Sequence, residues 1–244
     1  KKAEFRAINE ELSVLNQKFG ENVLKEDNGF VLVLDKPEDL AGLPEAVVQT
    51  AAAAAKRRDL GEGKWVFTLH KPSCIPFFQY SARRDLREKL FTAFINRGSN
   101  GNEADNKAVA AKIASLRLRR ANLLGYKTHA DYVLEENMAK TPAGVNGLLD
   151  KLWAPALAAA KREAAELQAL MDKDGVQAKL QPWDWWYYAE KLKKAKYDLD
   201  DETLKPYFKL ENVRDGAFEV ARRLWGLRFV ERTDIPKYHP DVKV

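Results

Sequence analysis

Apolar positions along the chain fall mostly at helical spacing. Phe5, Ile8, Leu12, Leu15 and Phe19 are separated by 3, 4, 3 and 4 residues, which sets them on one stripe of a helix. Gly20 or the Asp27-Asn28-Gly29 turn is expected to end it. No capping residue precedes this helix, so it is expected to begin upstream of Lys1. The apolar runs 30–34 and 65–69, each flanked by turn residues, predict two short strands that could pair. Between them Pro44 opens a helix over 45–58, and its alanines 51–55 favour helix and allow close packing.

Further along, Pro72 and Pro76 predict irregular chain over 70–80. Ser81 is a plausible N-cap for a helix over 82–97. Residues 98–102 read as a loop, and 104–124 as a helix stopped by Gly125. Thr128 and Asp131 fit a capping box. Thr141-Pro142 starts a long helix to about Asp172, which Pro155 should kink. Helices follow from Pro182 and from Asn212, the latter stopped by Gly226. Residues 227–231 alternate like a strand, as do Val242 and Val244. No fixed repeat and no low-complexity linker divides residues 1–244, so they read as one mainly α segment with a few short β-strands.

Composition narrows the class. In 244 residues, 45% are hydrophobic and 32% charged, which excludes a disordered chain or a small disulfide scaffold. The single cysteine, Cys74, forbids an intramolecular disulfide. No apolar run approaches the ~18–20 residues of a membrane span, so no membrane partner is expected. The net charge of +5 is unevenly spread. Residues 21–50 hold seven acids and two bases, and residues 83–120 hold ten bases and four acids. A basic helix carrying Lys112, Arg117, Arg119 and Arg120 invites a nucleic-acid reading. Its aromatics, however, lie in another segment, and Ile113, Leu116, Leu123 and Leu124 supply a packing face. Nucleic acid is therefore not expected as a partner.

Catalytic motifs are absent from the residues themselves. His70, His129 and His239 are far apart, and none begins the H-E-x-x-H pattern that sets two imidazoles on one zinc. His70 and Cys74 are four apart, but Pro72 between them is expected to break the helix such a pair would need. Cys74 lacks an obvious base, and there is no G-x-S-x-G or phosphate loop. Asp198, Asp200, Asp201 and Glu202 read as helix-start charges rather than a calcium loop. The densest feature is aromatic. On a helix, Trp183, Trp186 and Tyr187 share one face, with Asp184 and Tyr188 on a neighbouring one. Such a face is either core packing or the wall of a peptide or sugar cleft.

The stretch 181–191 (QPWDWWYYAEK), followed by Lys196-Tyr197-Asp198-Leu199-Asp200 and Leu204-Lys205-Pro206-Tyr207-Phe208, resembles the thimet oligopeptidase family of zinc peptidases, and within it the bacterial peptidyl-dipeptidases. Leu40-Ala41-Gly42-Leu43-Pro44, residues 120–126 (RANLLGY), residues 137–142 (NMAKTP), residues 229–232 (FVER), Ile235-Pro236 and residues 238–242 (YHPDV) agree in order. The resemblance implies a multi-helix lobe of a channel-forming fold, with zinc on the channel floor and release of C-terminal dipeptides from short peptides. In that family the zinc helix lies downstream of the last of these motifs. The chain is thus expected to be an N-terminal-side segment that holds no metal ligand or catalytic residue and binds no zinc itself. On this reading the zinc, the oligopeptide substrates and the C-terminal catalytic part belong to a longer, bacterial, cytoplasmic or periplasmic parent. Trp183, Asp184, Tyr187 and Tyr188 become substrate-channel candidates. The segment alone is expected to be inactive and to self-associate through exposed apolar surface. The rival reading is a free-standing helical module that binds a peptide or another partner.

Overall fold

Residues 1–198 and 201–244 are described by a computed structural model. Among the described residues the architecture is mainly α, built on helices with one two-stranded ribbon. Of the acidic cluster read at 198–202, Asp200 lies outside the described residues, as do the side chains of Asp201 and Glu202. Chain contacts divide the molecule into two units, Lys1–Leu192 and Lys193–Val244.

In the first unit, α1 (Lys2–Gly29) runs through Gly20 and stops at the Asn28-Gly29 turn. Of its predicted stripe, Ile8 and Leu12, with Leu15 beside them, pack against Val109, Ile113 and Leu116 of α5 (Lys107–Leu123), while Phe19 stays exposed. Asn22 and Asn106 continue this interface with polar bonds. Asn22 Nδ2 donates to Asn106 Oδ1 at 2.8 Å, and Asn106 Nδ2 donates to the Phe19 carbonyl at 3.0 Å. Buried amides are tolerated where their bonds are made, which is how α1 extends past its apolar stripe.

The second core lies under the ribbon. β1 (Leu32–Leu34) pairs antiparallel with β2 (Trp65–Phe67), matching Leu32 to Phe67 and Leu34 to Trp65. Both strands are shorter than the apolar runs suggest. Leu32, Leu34 and Phe67 pack with Ala51 of α2 (Glu45–Lys56), Phe77 and Phe78 of α3 (Lys71–Tyr80) and Leu90 of α4 (Arg84–Ile95). Ala51 and Ala55 are buried, so the alanine run serves close packing.

α3 corrects the expectation of irregular chain. Pro72 occupies the first turn, where its missing N–H would lack an intrahelical partner anyway. Pro76 lies inside the helix and costs one bond. Burial of Cys74, Phe77 and Phe78 in the core outweighs that loss. Ser81 is buried but does not cap α4, which begins at Arg84 after Arg83; its Oγ accepts from the Arg83 N–H at 3.3 Å.

The LAGLP turn has a steric reason. The Ala82 N–H donates to the Ala41 carbonyl at 2.8 Å, drawing two backbones together. Gly42 has φ +85°, and a Cβ there would lie 2.3 Å from the Tyr80 carbonyl oxygen. Only glycine fits.

Next come α6 (His129–Leu134), whose Thr128–Asp131 capping box is formed as read, and α7 (Pro142–Lys173), capped by Thr141. Only the later part of α7 is buried, where Leu167 and Met171 meet Tyr188 of α8 (Pro182–Tyr197). Its earlier part exposes Leu148, Leu149, Leu152 and Trp153.

In the second unit, α9 (Asp201–Leu204) and a 3-10 turn lead to α10 (Leu210–Trp225), which ends on left-handed Gly226 with φ +68°. Phe218 stacks on Phe229 with ring centroids 4.1 Å apart. The strands read at 227–231 and 242–244 are not formed. One backbone bond, Arg232 N–H to the Val244 carbonyl at 2.7 Å, joins these segments in place of a ladder.

Candidate functional site

The aromatic helix α8 is oriented by its acid rather than by its rings. Asp184 is fully buried and Tyr188 nearly so, whereas Trp183 and Tyr187 are half-buried and Trp186 is exposed. The face that hydrophobic spacing marks as packing is thus partly buried, and the most deeply buried position is the acid. Burial forbids a carboxylate unless its charge is met.

Two arginines of α4 meet it. Arg84 Nε lies 3.0 and 3.2 Å from the two Asp184 oxygens, and Arg84 Nη2 donates to Oδ2 at 2.9 Å. Arg87 Nη2 donates to Oδ1 at 3.0 Å. Asp184 also accepts the Gln181 N–H at 3.0 Å, in the manner of a residue three positions into a helix reaching back to its start. The Asp184 hydrogen bond holds the Arg84 guanidinium above its ordinary pKa.

Arg87 is itself buried and spends its remaining donors on backbone. Nη1 donates to the Ser81 carbonyl at 2.6 Å and Nε to the Trp183 carbonyl at 3.2 Å. Its guanidinium lies 4.2 Å from the centroid of the Tyr187 ring, and that of Arg84 lies 5.7 Å from Trp183. Two cations thus grip one carboxylate while their planar faces support two aromatic rings. Trp186 leans edge-on against Phe78 of the ribbon core at 5.3 Å. The Trp183 indole N–H is buried with no partner among the described residues.

Burial, with Asp174 nearby, pushes the Tyr188 phenol up to about 12, so it stays protonated near neutrality. The arrangement can present an ordered aromatic surface. It offers no nucleophile and no free acid or base, since the Asp184 carboxylate is occupied by its partners. Arg84 and Arg87 were hidden in the sequence within a general basic patch. The available signal was their spacing of three on an amphipathic helix, beside an acid in a helix-start position.

The other chemistry-bearing residues lie elsewhere. Cys74 is buried, its thiol is 3.5 Å from the Leu69 carbonyl, and burial raises it to about 11. His70 precedes α3, with Nε2 3.1 Å from Asn28 Oδ1. Pro72 does not break the helix between them, but each already has its own partner. Among the described residues no three His, Cys, Asp or Glu side chains are grouped to hold a metal ion. Among the described residues the donors present do not fit zinc.

The basic helix spends much of its charge on α1. Arg119 pairs with Glu4 at 2.5 Å, Lys112 with Glu11 at 3.2 Å, and Arg120 Nη1 donates to Asn9 at 3.0 Å. Among the described residues no helix is long and apolar enough to cross a membrane.

Comparison with known proteins adds the lineage. Residues 77–244 match the model of peptidase family M3. The chain is 36% identical over 244 residues to dipeptidyl carboxypeptidase of Escherichia coli (strain K12), covering all of this chain and 36% of that protein. It is 36% identical over 236 residues to oligopeptidase A of Haemophilus influenzae, covering 95% of this chain and 34% of that one. Saccharolysin of Saccharomyces cerevisiae is 26% identical over 98% of the chain and 34% of its own length. The chain spans about a third of the length of the curated relatives it matches.

Proposed function

The chain belongs to peptidase family M3, and on that premise we propose that it is an N-terminal-side segment of a bacterial zinc-dependent peptidyl-dipeptidase. The parent releases C-terminal dipeptides from short peptides. The catalytic centre and the zinc lie outside these 244 residues, which contain no H-E-x-x-H. One observation carries the reading: the similarity to dipeptidyl carboxypeptidase runs through the whole chain, at 36% identity. The exposed apolar residues of α7 support it, because apolar surface of this kind is commonly covered by another part of a protein or by a second copy.

Within that enzyme, α8 is a wall of the peptide channel. Asp184 and Tyr188 are its buried anchors, and Trp183, Tyr187 and Trp186 are its partly exposed rings. An aromatic wall contacts extended peptides through their side chains and backbone faces without demanding one sequence. Asp184, gripped by Arg84 and Arg87, sets where those rings stand.

The test is made on the polypeptide encoded by the intact gene. Its bound zinc is measured, and dipeptide release is followed from an N-blocked peptide. Trp186→Ala is expected to raise KM about threefold to tenfold with kcat nearly unchanged, the pattern of lost uniform binding. The 244-residue chain alone is expected to show no release. Release by the short chain refutes the segment reading, and an unchanged KM in Trp186→Ala refutes the wall.

A further inference from the structure

A second concave site lies away from the aromatic helix, where the end of α1 meets the end of α4 and the loop 98–104. It is an open groove of about 420 Å³, within the ~300–1,000 Å³ range of small-ligand pockets. Phe30, Leu69, Ala93 and Ala104 give it an apolar side. Charged groups line the rest, and their pairing is uneven.

Lys25 is committed to Glu103 at 2.5 Å, and Arg97 to Asp27 at 2.7 Å. Glu26 is held differently. Its Oε1 accepts from the side-chain amides of Asn100 and Asn102, each at 2.8 Å, and its Oε2 accepts the Gly98 N–H. All three donors are neutral. Burial tends to raise the Glu26 pKa, but the bonds from Asn100, Gly98 and Asn102 outweigh it and hold the carboxyl below its ordinary value. Glu26 is therefore an anion near neutrality, fixed in place without a cation. A carboxylate has about four acceptor positions, so one remains on Oε2. Asp105 nearby is already paired with Lys107.

We infer that this pocket binds a primary ammonium group on a short aliphatic tail, the ammonium on Glu26 and the tail against Phe30, Leu69, Ala93 and Ala104. An ammonium supplies the missing counter-charge and a donor for the open lone pair. The tail covers the apolar surface that Phe30 and Ala93 leave in water, with the buried Leu69 and Ala104 beneath it. A simple amine and the N-terminus of a peptide share this chemistry. The site does not depend on the peptidase reading, because no residue of α8 lines it.

The test uses the 244-residue chain and NMR titration. Isopentylamine is the probe, and isopentanol is its uncharged counterpart of similar size. The amine is expected to shift the amide signals of Gly98, Gly29 and Phe30 saturably. Isopentanol is expected to bind at least about tenfold more weakly, a difference of ~1.4 kcal/mol. Glu26→Gln, which keeps the shape and removes the charge, is expected to weaken the amine by a similar factor. Equal binding of amine and alcohol, or no shift at these amides, overturns the proposal. Should Glu26→Gln loosen loop 98–102 and fail to fold, the amine–alcohol comparison on the unsubstituted chain decides alone. Titration with leucyl-glycine and its N-acetyl form then separates the sources. Tighter binding of the free dipeptide than of isopentylamine supports the site as one for peptide N-termini, and binding of the acetylated form as strongly as the free one overturns the ammonium assignment.

Discussion

Asp184→Asn is the sharpest perturbation of the clamp between α4 and α8. Asparagine keeps the size and can still accept a bond from Gln181 and from one arginine. What it removes is the charge that balances Arg87, a residue only 1% exposed. Breaking a buried ion pair from one side costs about 3–5 kcal/mol, because the partner remains buried and uncompensated. Arg87 retains the Ser81 and Trp183 carbonyls and the Tyr187 face, so the lower end, about 3 kcal/mol, is expected. Arg87→Met should cost less, about 2 kcal/mol, although it deletes the larger side chain. Asp184 would still hold the two-pronged bond from Arg84, leaving mainly orphaned carbonyls to be counted. The combination of Asp184→Leu with Arg87→Met should cost clearly less than the sum of its parts, since it removes both buried charges and refills the space with apolar atoms. Urea unfolding of each variant, followed by tryptophan fluorescence and near-UV circular dichroism, gives the midpoints. An Arg87→Met that costs as much as Asp184→Asn, or strict additivity of the pair, would refute the argument that charge balance governs this contact.

Three further outcomes follow from other parts of the structure. Gly42→Ala should destabilise the chain by about 2 kcal/mol or more, read from thermal melting, because it combines an unfavourable positive φ with a Cβ pressed onto the Tyr80 carbonyl. Cys74 should react with a thiol reagent at the rate of unfolding rather than of a free thiol, since it is buried and its pKa is raised to about 11; rapid labelling of the native chain would contradict its placement. His129 has its pKa lowered by burial and by Arg117 and Arg120. The folded state thus takes its proton later than the unfolded state as pH falls. Its share of stability is intact above about pH 6.5 and declines below it, until the folded imidazole also protonates. His129→Asn should flatten the dependence of the melting temperature on pH just below 6.5, and an unchanged slope would exclude His129 as its source.

Local chemistry was legible wherever a signal acts within one or two turns. The α1 stripe, the Thr128 box, the Thr141-Pro142 start and the Gly226 stop were all read from neighbouring residues and are formed. Family membership was legible too, through motifs in the right order. Local rules failed where distant burial decided. Two prolines could not prevent α3, because its rings lie in the ribbon core. Alternation over 227–231 did not make a strand, because strand formation needs a ladder of partners and a single backbone bond is present. Segments with no burial to impose their shape follow other constraints than their apolar pattern.

By itself, then, the sequence determined the mainly helical class, most helix ends and the lineage, because capping, proline position and apolar spacing act through contacts only a few residues apart. Tertiary structure alone decided which residue of α8 is buried most deeply. Hydrophobic spacing favours the tryptophans for that role, yet Asp184 takes it, because two arginines 97 and 100 positions away in the chain supply its counter-charge and hydrogen bonds. A buried carboxylate is stable only with such partners in place, and their meeting is a property of the folded chain.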